Sequence, residues 1–256
     1  MSAPVFLTDP SDLATVHAGA VVSLTGSEGR HAVAVQRLQP GEAIDLVDGA
    51  GRRACGTVAA VRTPDALDVE VRAVIDEPVP TPRFVVAQAI AKGEHAELAV
   101  DLMTQLGVDE IIPWQAARSI ARWSDEKAER ARAKWESAAA QAAKQCRRAR
   151  VPRIASVVDL GSLIARVQGA GSAIVLSESA TRSLVDLPTP ITGELLLIVG
   201  PEGGIGDEER TALVTAGAVE AVLGPTVLRA SLAGAAALAV LSARLRWGAP
   251  MEGSRP

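Results

Sequence analysis

A chain of 256 residues, 48% apolar and 22% charged, carries enough apolar material for one large domain or two modest ones, which excludes wholesale disorder. Its two cysteines, Cys55 and Cys146, lie far apart without a CxxC pair, and its three histidines are scattered, so a disulfide scaffold, a cysteine-rich zinc module and a histidine metal set are excluded and no metal is expected. A net charge of −4 with no tyrosine is unlike a general nucleic-acid binder and argues against base stacking on an aromatic sheet.

In chain order, the opening MSAPVFLTDP lacks a basic segment followed by an apolar one, so no signal peptide is expected. Short β-type runs follow at Ala20–Leu24, Ala43–Leu46, Gly56–Val61 and Leu67–Val74, with turns at Pro40-Gly41 and Asp48–Gly51 and a short helix at Arg30–Leu38. Several short strands at this spacing predict a small barrel or sandwich over residues 1–76. Three prolines within Asp76–Pro82 then mark a stiff linker, 77–82, and a domain boundary.

The rhythm changes after the linker. Arg83–Ile90 reads as a strand, and Glu94–Leu106 as a helix, with Leu98, Leu102 and Leu106 on one face and Gly107 as its stop. Glu110–Trp114 is a short apolar strand, and Ser124–Lys144 a long Ala-rich helix with Ser124 as N-cap. Helical packing is expected for Trp123 and Trp135. Val157–Val167, Ala173–Leu176, Glu194–Val199, Asp207–Ala216 and Ala218–Leu223 continue the alternation, and Ala230–Trp247 is a small-residue helix. Its apolar stretch Leu232–Leu241 is too short to span a bilayer, so a soluble, cytoplasmic protein is expected. Alternating β and α elements predict an α/β domain over 83–248, with a mainly parallel sheet covered on both faces, and a flexible tail at 249–256.

Charge is unevenly spread. Arg118–Arg153 holds 11 basic and 4 acidic residues, a net of +7, while the remainder nets −11. Lys144–Arg153 carries five cations and no carboxylate, which suggests a localised polyanion contact. The alternative is a solvated helix end.

The sharpest motif is Leu195–Glu209, where a buried strand runs into Gly200-Pro-Glu-Gly-Gly204 and a helix start. Ligands of open α/β sheets bind at the carboxyl ends of strands, and glycine lets the backbone approach them closely. Glu202, Asp207, Glu208 and Glu209 crowd this turn without a following cation, which disfavours a pyrophosphate and a nucleotide-phosphate hydrolase. A phosphate-free nucleoside with a positive centre, such as S-adenosylmethionine, fits better; the alternative is an acidic capping turn with no ligand. Leu223-Gly-Pro-Thr-Val-Leu-Arg229 is a second strand-end turn, able to line the other side of one pocket. No GxSxG supports a serine hydrolase.

These two motifs closely resemble the C-terminal motifs of the bacterial 16S ribosomal RNA (uracil-N3) methyltransferases of the SPOUT superfamily. Further matches run through His31 and Arg37 before Pro40-Gly41, Asp48-Gly49, Lys92-Gly-Glu94, Gln105–Val108 and Gln145…Arg148…Pro152. The resemblance implies a PUA-like RNA-binding barrel at the N-terminus, a SPOUT methyltransferase domain with a C-terminal trefoil knot, a homodimer, and 16S ribosomal RNA or the small ribosomal subunit as partner. It implies S-adenosylmethionine bound by Leu176, Ser177, Val199, Gly200, Pro201, Glu202, Gly203, Gly204, Leu223, Gly224, Val227 and Leu228. Arg229 is then expected to stabilise charge on the uracil or to orient it, with Glu202 as base. The expected RNA contacts are His31, Arg37, Lys92, Arg118, Gln145, Arg147, Arg148 and Arg150. Ala230-Ser231-Leu232 stands where the family often has Thr-Glu-Thr, and Lys144 where Glu commonly precedes Gln. A catalytically inactive RNA-binding module of the same fold is the competing expectation.

Overall fold

The structure, a computed structural model, describes residues 3–248 except 92 and 191, and the side chains of these except Asp125 and Glu126. Lys92 and the expected tail therefore lie outside the described residues. The chain forms two compact units, Met1–Val79 with Ala140–Val151, and Pro80–Ala139 with Pro152–Pro256. Ala140–Val151 thus belongs to the first unit although it falls inside the stretch 83–248.

In the first unit, β1 (Val5–Leu7), β2 (Val21–Leu24), β3 (Ala43–Val47), β4 (Arg52–Thr63) and β5 (Ala66–Asp76) make one sheet in the order β1-β3-β4-β5-β2. Val22 and Leu24 point inward while Val21 and Ser23 are exposed, the alternation of a strand with one wet face. Bulges in the long β4–β5 hairpin bend the sheet. All five strands send side chains into one core, among them Phe6, Leu24, Ile44, Leu46, Val58 and Leu67.

The helices α1 (Pro10–Leu13) and α2 (Gly26–Arg30) join these strands. The expected helix at Arg30–Leu38 begins earlier, at Gly26, and ends in a wider turn over His31–Val35, where Gln36 N donates to His31 O at 2.9 Å. Arg37 follows with φ of 56°, a left-handed conformation that ends the helix before Leu38.

In the second unit, β6 (Arg83–Ala89), β7 (Glu110–Trp114), β8 (Arg153–Ile154), β9 (Ser172–Leu176), β10 (Glu194–Val199) and β11 (Val219–Ala221) form a wholly parallel sheet, ordered β11-β9-β10-β6-β7-β8. The near-continuous burial of β6 and β10 shows that both faces are covered. Val85, Ala87 and Ala89 of β6 pack with Leu163 and Val167 of α5 (Leu160–Gly169) and Leu213 of α6 (Asp207–Thr215). On the other face α3 (Glu94–Gln105) packs against α7 (Ala230–Leu245), whose Gly234 lies close to Met103, Val199 and Gln88.

The long helix α4 (Asp125–Gln145) carries Trp135, which is buried with its ring centroid 5.1 Å from that of Trp123. Helix α5 starts three residues later than expected. Val158 N is already committed to Pro113 O at 2.9 Å, and the Asp159 carboxylate caps the helix by accepting from Ser162 N at 2.8 Å.

Candidate functional site

The strands β11, β9 and β10 are sheet neighbours running in the same direction, so their carboxyl ends open side by side. Ser177 follows β9, Gly200–Gly206 follows β10 and Val222–Arg229 follows β11. Together they line a cavity of about 900 Å³. Every position expected to hold the cofactor, in Leu176–Ser177, Val199–Gly204, Leu223–Gly224 and Val227–Leu228, lines it, as does Arg229.

Local geometry explains the glycines. Gly204 has φ of +72° and closes a turn by donating to Pro201 O at 2.9 Å. A Cβ on Gly200 would sit 2.7 Å from Ile205 Cγ1, and one on Gly203 would press on Arg118 Cβ at 3.4 Å. The opposite loop is built differently. Among the described residues, no main-chain N–H of Leu223, Gly224 or Thr226–Arg229 donates to another main-chain group. Amides without a main-chain partner beside the apolar side chains of Leu176, Leu223 and Leu228 suit the hydrogen-bonding edge of a flat heterocycle.

Charged groups surround this floor. Arg229 is exposed at the start of α7, and Glu202 is exposed on the Gly turn. Arg118 Nη1 donates to Gly203 O at 3.2 Å. Arg210 pairs with Glu220 at 3.2 Å and with Asp207 at 3.4 Å, and the Glu220 hydrogen bond is the first cause raising its pKa. His95, at the start of α3, also lines the cavity.

The expected crowd of four carboxylates thins out. Glu209 turns inward, only 6% exposed; its Oε1 accepts from Ala117 N at 2.7 Å and its Oε2 from Gly206 N at 3.0 Å. Neither Glu209 nor His95 is among the residues that the sequence assigns to the site. The Gly206–Glu209 spacing, N-cap to third helical residue, is the available signal for Glu209. Nothing in the sequence marks His95.

The basic segment is less uncompensated than its sequence suggests. Lys144 Nζ pairs with Glu28 Oε1 at 2.6 Å, a partner 116 residues away. Arg150 Nη1 donates to Ala50 O, and Nη2 to Glu77 O at 2.5 Å, so this guanidinium braces the chain instead of waiting for phosphate. Arg147 has φ of 61°, and its carbonyl accepts from Arg53 Nη2 at 2.9 Å. Gln145 and Arg37 are exposed, Arg147 and Arg148 half-buried. His31 Nε2 lies 3.2 Å from Gln36 Nε2. All of these belong to the first unit, whereas Arg118 belongs to the second.

Similarity to known proteins agrees with this geometry. The description of an RNA methyltransferase domain matches residues 77–242, and that of an RNA methyltransferase PUA domain matches residues 24–72. The small-subunit ribosomal RNA methyltransferase E of Mycobacterium bovis is 42% identical over 237 residues, 90% of each chain. Its counterpart from Bacillus subtilis is 31% identical over 228 residues, 86% of this chain and 89% of its own. A putative methyltransferase from Legionella pneumophila, solved with the bound cofactor S-adenosylmethionine, is 27% identical with a TM-score of 0.82, covering 95% of this chain and 98% of its own. With a family match over residues 77–242, a PUA match over residues 24–72 and a relative 42% identical along 90% of its length, the chain belongs to the RNA methyltransferase family that includes the small-subunit ribosomal RNA methyltransferases E.

Proposed function

We propose that this protein transfers a methyl group from S-adenosylmethionine to N3 of a uridine in 16S ribosomal RNA. The observation that carries the reading is the convergence of three strand-end loops on one cavity, with amides that have no main-chain partner on one side and Arg229 at its edge. The cavity's own chemistry fits the cofactor: apolar walls for adenine, amides for its edge, and Glu202 and Glu178 as carboxylates for a cationic centre.

When bound, the cofactor supplies an electrophilic methyl on sulfonium sulfur. The chain's task is then positioning and charge management. The Gly200–Gly204 and Leu223–Leu228 turns hold the nucleoside, and Arg229 faces the uracil oxygens on which negative charge grows as N3 loses its proton. Glu202 is the proposed acceptor of that proton. Arg229→Ala should cut kcat roughly a hundredfold, the usual loss for one charge-stabilising donor; an unchanged rate on ribosomal RNA would remove the assignment. Glu202→Gln tests the base in the same assay, with His95→Gln as the comparison, because both side chains line the cavity. Calorimetry with S-adenosylmethionine on wild type and Gly203→Val tests the pocket, and equal binding by both would place the cofactor elsewhere.

RNA contacts are proposed for His31, Arg37, Lys92, Arg118, Gln145, Arg147 and Arg148, with Arg150 bracing the segment from behind. The protein is proposed to act in the cytoplasm as a knotted homodimer on ribosomal RNA or the small subunit; light scattering checks the mass. No helix of the described residues is long and apolar enough to cross a membrane. Transfer of labelled methyl separates an active enzyme from an inactive RNA-binding module in which Ala230-Ser231-Leu232 has cost the activity.

A further inference from the structure

The turn after β10 has four glycines in seven residues, Gly200–Gly206, and such a segment has little rigidity of its own. What holds it is a set of bonds from outside. Buried Trp114 donates through Nε1 to Val199 O at 2.9 Å, at the point where the strand ends. Arg118 donates to Gly203 O at 3.2 Å, in the middle of the turn. Glu209 accepts from Gly206 N at 3.0 Å, at the end of the turn, and from Ala117 N at 2.7 Å. Trp114, Ala117 and Arg118 all come from the end of β7 and the residues after it, so two loops of the second unit are fastened to each other three times.

Glu209 is the central fastening. It is nearly buried, it sits in the first turn of α6 where a negative charge is favoured, and each of its oxygens takes one amide from a different loop. Helix capping alone needs only the Gly206 bond. The second bond, to the amide preceding Arg118, does nothing for α6 and fixes where Arg118 enters the cavity.

We infer that Glu209 is a positioning residue for methyl transfer: its carboxylate locks the Gly200–Gly206 turn to the Ala117–Arg118 segment, so that the cofactor floor and the Arg118 side chain are set by one buried group. The inference rests on the proposed reading of the cavity as the site of S-adenosylmethionine and RNA.

Glu209→Gln keeps the shape but puts an NH₂ against one of the two amide donors. In the ligand-free protein, hydrogen exchange at Ala117 and Gly206 should accelerate together, by tenfold or more. Calorimetry should show S-adenosylmethionine binding weakened about tenfold, the loss expected for one charge-assisted hydrogen bond, and KM for RNA should rise. Glu209→Asp, one methylene shorter, should fail to restore both contacts. Arg118→Ala, on an exposed side chain, supplies the second arm: adding Glu209→Gln to it should cost little further RNA affinity, because the residue being positioned is already gone.

A capping role alone predicts the opposite pattern. Glu209→Gln would then lower Tm and speed exchange at Gly206 but not at Ala117, with cofactor and RNA affinities unchanged per folded molecule. That result overturns the inference, as does full additivity of the two substitutions in RNA binding. Failure of the wild-type protein to bind S-adenosylmethionine would instead count against the function, and the hydrogen-exchange comparison would still decide whether Glu209 joins the two loops.

Discussion

Arg150 donates through both terminal nitrogens to main-chain carbonyls, and its Nε is buried without a partner. Replacing it by alanine takes a charged donor from the half-buried carbonyl of Glu77, while the exposed carbonyl of Ala50 can turn to water, which should cost about 1 kcal/mol of stability in urea unfolding. Lysine should not rescue it, because one ammonium cannot serve two diverging acceptors as a planar fork does. RNA affinity per folded molecule should stay unchanged, which separates bracing from phosphate contact. Asp68 offers a pH-dependent test. The hydroxyl of Ser23, followed by Arg62, holds its carboxyl below the ordinary carboxylate range. A depressed folded pKa contributes stability that is complete above the unfolded value, about 3.9, and is lost as pH falls through the folded one. The Tm gap between wild type and Asp68→Asn should therefore be widest near neutrality and shrink progressively below about pH 4.

Helix α2 is pinned by its one buried residue. A Cβ on Gly29 would run into the main-chain oxygen of Asp65, closer than any real contact, and would lie 2.7 Å from Leu24 O. Backbone cannot step aside as a flexible side chain can, so Gly29→Ala should destabilise by about 1–3 kcal/mol or more, despite alanine's better helix propensity. The existence and type of most elements are legible in the amino-acid sequence, because β6 and β10 are nearly unbroken apolar runs and α3 has helical spacing. The face of α3 is not: Leu98 of the expected apolar face is 45% exposed, and α3 buries Ala96, Ala99, Val100 and Met103 instead. The site is legible at Gly200–Gly204 and Leu223–Arg229 because those glycines and prolines answer local backbone demands. Contacts closed by the tertiary fold leave no trace in the sequence. Lys144 meets Glu28 across 116 residues, and Glu209 finds Ala117 across 92. The three-residue strand β1 and the two-residue β8 are too short to carry a period, so pairing alone creates them.

At the scale of the molecule, the stretch Arg118–Arg153 nets +7 and the remainder −11, so no general attraction draws RNA in. Binding must work through this basic stretch, by pairing with phosphates and releasing counterions. Arg147→Ala with Arg148→Ala should weaken RNA binding and flatten its dependence on salt by roughly 1.5 in the log–log slope, the share of two phosphate contacts. S-adenosylmethionine affinity should not change. A double variant that becomes monomeric while keeping RNA affinity would mark these arginines as a subunit contact.

The chain leaves the first unit after Val79, re-enters it for Ala140–Val151 and departs again. A ribosome releases its product from the amino end, so residues 1–79 emerge long before the segment that completes their unit. Until residue 151 is out, Glu28 lacks Lys144, and the carbonyls of Ala50 and Glu77 lack Arg150. The unit begun first therefore cannot be finished at once, and its maturation waits on synthesis of the opening stretch of the other. Nascent chains arrested before residue 140 should be cut by added protease near Asp48–Gly51 much faster than chains arrested beyond residue 190, and equal rates would show that the first unit closes without its late segment.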